Sequence, residues 1–79
     1  MSRLIDELEV YNIADIDADA SPNYYGFEHP NKSWYIMRET LATGADTYRY
    51  SKGDSDFAAN WTNRASLTYA TFSSVFTIQ

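Results

Sequence analysis

The stretch that decides the fold runs from residue 24 to residue 51: Tyr24-Tyr25-Gly26-Phe27-Glu28-His29-Pro30-Asn31-Lys32-Ser33-Trp34-Tyr35-Ile36-Met37-Arg38-Glu39-Thr40-Leu41-Ala42-Thr43-Gly44-Ala45-Asp46-Thr47-Tyr48-Arg49-Tyr50-Ser51. Three runs rich in aromatic and β-branched residues read as strands over 24–28, 33–41 and 46–51. Between the first two, His29-Pro30-Asn31-Lys32 is turn chemistry, with proline suited to the second position and asparagine to the third. Between the second and third, Ala42-Thr43-Gly44-Ala45 is a turn in which Gly44 supplies a positive φ. Strand periodicity puts Trp34, Ile36, Arg38 and Thr40 on one face and Tyr35, Met37, Glu39 and Leu41 on the other. In the third run Tyr48 and Tyr50 share one face, Thr47 and Arg49 the other. Lys52-Gly53-Asp54-Ser55-Asp56 ends it. The expectation is a three-stranded antiparallel meander, near the minimum for independent stability, so its flatter face needs a cover.

That cover should come from residues 57–79. Phe57 and Trp61 are its anchors, and Leu67, Ala70, Phe72, Val75 and Phe76 suggest a short helix near 67–76. The fold class expected is α+β, mainly β: the meander covered by a C-terminal segment with a short helix, preceded by an acidic N-terminal arm. The division is therefore 1–20 for the arm and 21–79 for a small β-rich domain.

The arm is defined by charge. Residues 1–20 hold Asp6, Glu7, Glu9, Asp15, Asp17 and Asp19 against Arg3 alone, whereas acids and bases balance over residues 21–79, so the whole net charge of −5 lies in the first quarter. Leu4, Ile5, Leu8 and Tyr11 form a helical stripe with Ser2 as a candidate cap. From Asp15 to Ala20 the pattern alternates, which as a strand sets the three aspartates on one face and Ile16, Ala18 and Ala20 on the other. An exposed edge, or an arm laid on a neighbour, suits that pattern. Ser21-Pro22-Asn23 breaks the chain.

Composition narrows the function. The 79 residues make one small domain with a thin core. Aromatics are 16% of the chain and outnumber Leu, Ile and Val together, so the core is built from rings or some rings face a partner. There is no cysteine and one histidine, which removes disulfides, Cys-ligated zinc and multi-His centres. The acidic balance argues against nucleic acid, which needs a basic footprint. Residues 1–20 lack the basic start and apolar run of a secretory leader, and no stretch approaches the ~20 apolar residues of a membrane span. Asn31-Lys32-Ser33 and Asn60-Trp61-Thr62 match the glycosylation pattern but are discounted without such a leader.

Chemistry-bearing motifs are few. Asp15-x-Asp17-x-Asp19 opens like a calcium loop, but the sixth and twelfth positions hold Ala20 and Gly26 where glycine and glutamate are needed. Asp54-Ser55-Asp56 and His29 read as turn residues. No nucleophile elbow or phosphate-binding glycine loop occurs. The chain is read as a non-enzyme without cofactor or metal. Arg38 and Arg49 lie on neighbouring strands, on the face shared with Trp34, where a guanidinium over the indole is favourable. They form a candidate patch for an acidic segment, the obvious one being this chain's own residues 6–19, in cis or from a neighbouring copy. Partner-binding residues are thus Asp15, Asp17, Asp19, Trp34, Arg38 and Arg49. Trp34 and Trp61 are themselves expected to be packed.

The runs at 19–27 (Asp-Ala-Ser-Pro-Asn-Tyr-Tyr-Gly-Phe), 33–40 (Ser-Trp-Tyr-Ile-Met-Arg-Glu-Thr), 47–53 (Thr-Tyr-Arg-Tyr-Ser-Lys-Gly) and 60–69 (Asn-Trp-Thr-Asn-Arg-Ala-Ser-Leu-Thr-Tyr) together resemble a small protein of tailed bacteriophages, from the virion structural and tail-fibre gene region. The resemblance covers about residues 13–76 and implies a virion component, made in the host cytoplasm, with other virion proteins as partners in a symmetric assembly. It brings no catalytic residues. Its place would be tail, baseplate or fibre attachment, with capsid decoration as the alternative. Trp34-Tyr35-Ile36 after a turn is also similar to cell-wall-binding hairpin repeats, which present an aromatic to choline or sugar. Those repeats come in tandem and carry glycine where this single copy has Ser33. That likeness implies a carbohydrate-binding module using exposed aromatics.

Overall fold

The computed structural model describes residues 11–76, and its architecture is mostly β: one four-stranded antiparallel sheet with a few short helices. The strands are β1 (Asn12–Asp17), β2 (Asn23–Glu28), β3 (Trp34–Ala42) and β4 (Ala45–Gly53), ordered β1-β2-β3-β4 across the sheet. The three strands of the expected meander are present. The sheet nevertheless has a fourth strand, β1, which corrects the three-stranded expectation and lies in the segment assigned to the acidic arm. Of the helical stripe expected before it, Leu4, Ile5 and Leu8 lie outside the described residues, and Tyr11, the last member, is not helical.

Both hairpins follow from their turn residues. His29 N–H donates to the Ser33 carbonyl at 2.8 Å and Lys32 N–H to the His29 carbonyl at 2.9 Å, closing a turn with Pro30 and Asn31 at its centre. The strain of this loop falls on Lys32, which sits at φ +84°. The β3–β4 turn is the two-residue loop Thr43-Gly44, and Gly44 has φ +85°. In β1 the register slips between Ile13 and Asp15. This bulge at Ala14 brings Ile13 and Ile16 to one face although they are three apart, because two residues of β1 oppose a single step of β2.

The C-terminal segment serves both faces of the sheet. Helix α1 (Phe57–Thr62) presents Phe57 and Trp61, four residues apart, to the Trp34 face. There the core gathers Tyr24, Trp34, Ile36 and Phe57, with Trp61, Leu67 and Tyr69 packed against it. Glycine makes the approach possible. A Cβ on Gly26 would lie 2.6 Å from a Phe57 ring carbon, and one on Gly53 would lie 2.5 Å from the Trp34 indole. The chain then passes through a 3-10 turn (Arg64–Ser66) and crosses the β4 edge, where Tyr50 and Ala70 exchange backbone hydrogen bonds of 2.8 and 2.9 Å. Beyond the crossing, helix α2 (Phe72–Val75) and Phe76 pack on the opposite face against Tyr35 and Tyr50.

The helix expected near 67–76 is therefore corrected to four residues, 72–75. Residues 67–71 stay outside any helix because Ala70 is committed to a bridge with Tyr50. The longer helix, 57–62, begins where only anchoring side chains were expected.

Candidate partner-binding surface

The acidic strand and the arginines meet in one row. Successive cross-strand pairs link Asp17 to Tyr24, Tyr24 to Arg38 and Arg38 to Arg49, so these four side chains run across the whole sheet on the Trp34 face. Arg64 sits over the row. Its Nε and Nη2 both donate to Asp17 Oδ2, at 3.2 and 2.8 Å, and its Nη1 donates to the Trp61 carbonyl at 2.8 Å. The same guanidinium stacks 4.6 Å from the Trp61 ring centroid and 5.7 Å from that of Tyr24. Arg38 stacks on Tyr69 at 4.5 Å. Tyr69 donates its hydroxyl to the Arg64 carbonyl at 2.9 Å, and burial pushes its pKa up to about 12.

Each of the six expected partner-binding residues has a definite place. Asp15 is exposed on β1, opposite Gly26 and on the same face as Asp17. Asp17 is held by Arg64 in an ion pair of 2.8 Å. Asp19 lies exposed in the bend after β1. Arg38 and Arg49 are directly opposite one another, a like-charge pair that costs stability unless something answers it. Arg49 donates to the Tyr48 carbonyl at 2.8 Å, and the buried Nε of Arg38 has no hydrogen-bond partner. Trp34 shares their face but is only 3% exposed, with its indole N–H donated to the Ser55 carbonyl at 2.6 Å. Its ring offers no surface for a sugar or a choline group. The cation–π contact expected at Trp34 is formed elsewhere, by Arg38 on Tyr69 and by Arg64 on Trp61.

Arg64 is the residue the sequence reading missed. The clue was available, since it is the sole Lys or Arg between Gly53 and the C-terminus. A single cation in a segment that must cover a sheet with acids at one edge has an obvious counter-ion.

The other face carries a different polar centre. Glu39 accepts hydrogen bonds from Asn23 Nδ2 at 3.2 Å, Tyr25 Oη at 3.0 Å and Tyr48 Oη at 3.0 Å. The bonds from Asn23, then Tyr48 and Tyr25, hold its carboxyl below the ordinary value, and the same bonds raise both tyrosines. These groups tie strands β2, β3 and β4 together. On this face the β1 side is apolar and open: Ile13 is 60% and Ile16 56% exposed.

The described residues include no group of three or more His, Cys, Asp or Glu side chains that could hold a metal ion, and no helix long and apolar enough to cross a membrane. A shallow depression of about 340 Å³ lies between 12–14 and the 28–32 loop, lined by Ile13, Glu28, His29 and Lys32 among others. His29 Nδ1 accepts the Asn31 N–H at 2.9 Å, a local turn contact. No protein-family model, no curated protein and no solved structure matches this chain.

Proposed function

We propose that this chain is a non-enzymatic structural or adaptor component of a tailed-phage virion, working through protein–protein contacts at the tail, the baseplate or a fibre attachment. The observation that supports contact-making is the β1 edge. It presents two exposed isoleucines on one face and aspartates on the other, on a sheet whose core lies at the opposite side of β2. Among the described residues none covers this apolar strip, and an exposed apolar patch is a feature of interaction surfaces. The virion assignment itself rests on the phage-like runs at 19–27, 33–40, 47–53 and 60–69. Capsid decoration is the same kind of role at another attachment site. A sugar-binding module would need open rings, and Trp34 does not supply one.

The test is quantitative mass spectrometry of intact particles, banded on a density gradient, from cells that produce both particle and protein. A constant ratio to the major virion proteins, at several copies per particle, is expected. Abundant chain in the lysate with none in the banded particles would overturn the virion assignment.

A further inference from the structure

The two edges of the sheet are complementary to each other. Among the described residues no strand pairs with the outer side of β1. Among the described residues the outer side of β4 is paired only at Tyr50, by Ala70, and no described strand neighbours residues 45–49 there. We propose that copies of this chain join head to tail, the outer edge of β1 in one copy pairing antiparallel with residues 45–49 of β4 in the next, so that the sheet continues across the interface.

Strand direction permits this. Neighbouring strands are antiparallel throughout, so β1 and β4 run in opposite senses. A second copy in the same orientation therefore lays its β1 antiparallel to the first copy's β4, and both sheet faces continue unchanged. On one face Asp15 then comes beside Arg49, which stands opposite the like charge of Arg38. Asp17 is already engaged by Arg64, which leaves Asp15 as the strand's free carboxylate for this contact. On the other face Ile13 and Ile16 come beside Tyr48, itself 42% exposed. Unlike charges meet on one side and apolar groups on the other, the two kinds of cross-strand pair that stabilise a sheet.

The symmetric alternatives are worse. Pairing β1 with a second β1 sets aspartates against aspartates, and pairing residues 45–49 of β4 with a second copy of themselves sets Arg49 against Ala45, where no acid answers it. Charge on an open edge is a common guard against indiscriminate pairing. Here the β1 edge carries aspartates and residue 49 an arginine on the same face, so the β1 edge rejects itself and admits β4. A heterologous contact of this kind closes into a ring when its rotation permits and otherwise extends. The proposal rests on the assembly role above and specifies the surface that would carry it.

The experiment is sedimentation velocity of the full chain over a concentration series, with Asp15→Lys, Arg49→Glu and their equimolar mixture. The wild type should self-associate. Each single variant should do so about tenfold more weakly, since an attractive pair becomes a repulsive one. The mixture should recover near wild-type association. At one junction the lysine introduced in the first variant meets the glutamate introduced in the second, and at the next the unchanged Asp15 and Arg49 meet. Misfolded variants would not rescue each other. Ile16→Ser, at an exposed side chain, should also weaken association. A wild type that stays monomeric, single variants or Ile16→Ser that associate like wild type, or a mixture no better than its components would each overturn the proposal. Such a failure with the chain still present in banded particles removes the head-to-tail contact alone. Absence from particles with intact self-association removes the virion role alone.

Discussion

Asp17 and Arg64 stand 47 residues apart in the chain and meet at 2.8 Å, tying the edge strand β1 to the segment that covers the core. Both side chains remain about one third exposed, so the charge pair alone contributes on the order of 0.2–1 kcal/mol. Arg64 does more than neutralise Asp17. It also stacks on two rings and binds a carbonyl. Arg64→Ala should therefore destabilise by about 1–3 kcal/mol and Asp17→Asn by about 1 kcal/mol or less. Denaturant melts of both single variants and the double variant would check this. The coupling energy between the two sites should be smaller than the full cost of Arg64→Ala, since the stacking does not involve Asp17.

Gly26 and Gly44 should fail for different reasons when changed to alanine. At Gly26 the new methyl meets Phe57 at 2.6 Å, and overpacking of this kind costs about 1–3 kcal/mol. At Gly44 there is open space, but φ +85° strains any side chain, for about 1 kcal/mol. A background Phe57→Leu change should relieve part of the Gly26→Ala cost and none of the Gly44→Ala cost. Thermal melts resolve this, since 1 kcal/mol is worth roughly 4–8 °C in a domain of this size.

Lys32→Gly should stabilise the protein. The lysine holds φ +84° at the end of the β2–β3 turn, a conformation that costs an L-residue about 1 kcal/mol relative to glycine. A gain of several tenths up to 1 kcal/mol in urea melts is expected, on the order of that strain. A loss would mean that the lysine side chain makes a compensating contact.

Stability should fall away at both ends of the pH scale. Glu39 has a lowered folded-state pKa, so its contribution is present above the ordinary value of 4.5 and is lost as pH falls through the folded value. Glu39→Gln should flatten the acid limb of the stability curve. Tyr35 and Tyr69 are pushed up to about 12 by burial from 10.0, so their contribution is complete below 10 and is lost between 10 and about 12. Absorbance titration of the phenolates with parallel circular dichroism would show ionisation of these two tyrosines coinciding with alkaline unfolding.

What the sequence made legible follows local chemistry. β2, β3 and β4 were readable because each is bounded by turn residues whose backbone preferences are specific: Pro30-Asn31 at one end, Gly44 at the other. The face assignments made for β3 and β4 hold residue by residue, since strand periodicity alone decides them. β1 was harder because the bulge at Ala14 breaks its alternation, so Ile13 looks out of phase with Ile16 although both share a face. Helix α1 was missed because its six residues include Asn and Thr and its only marks are Phe57 and Trp61. Tertiary packing over Gly26, not helix propensity, holds it in place. For the candidate surface, Arg38 and Arg49 were read onto the Trp34 face, as the register has them, but that Asp17 joins them there and which rings they meet depend on the β1 pairing and on the path of the covering segment. That path turns on the Tyr50–Ala70 bridge, which no local pattern announces.

The most direct test is whether the acidic stretch forms the fourth strand of the sheet, with Ile16 opposite Tyr25. The chain has no cysteine, so an engineered pair reports only on itself. Cysteines at directly opposed positions in an antiparallel pair lie within disulfide reach. On mild oxidation of dilute protein, Ile16→Cys/Tyr25→Cys should form an intramolecular bond in high yield, while Asp15→Cys/Tyr25→Cys, whose side chains point to opposite faces, should not. Equal yields for the two pairs, or no intramolecular bond in the first, would contradict the placement of β1 and with it the acidic edge on which the account depends.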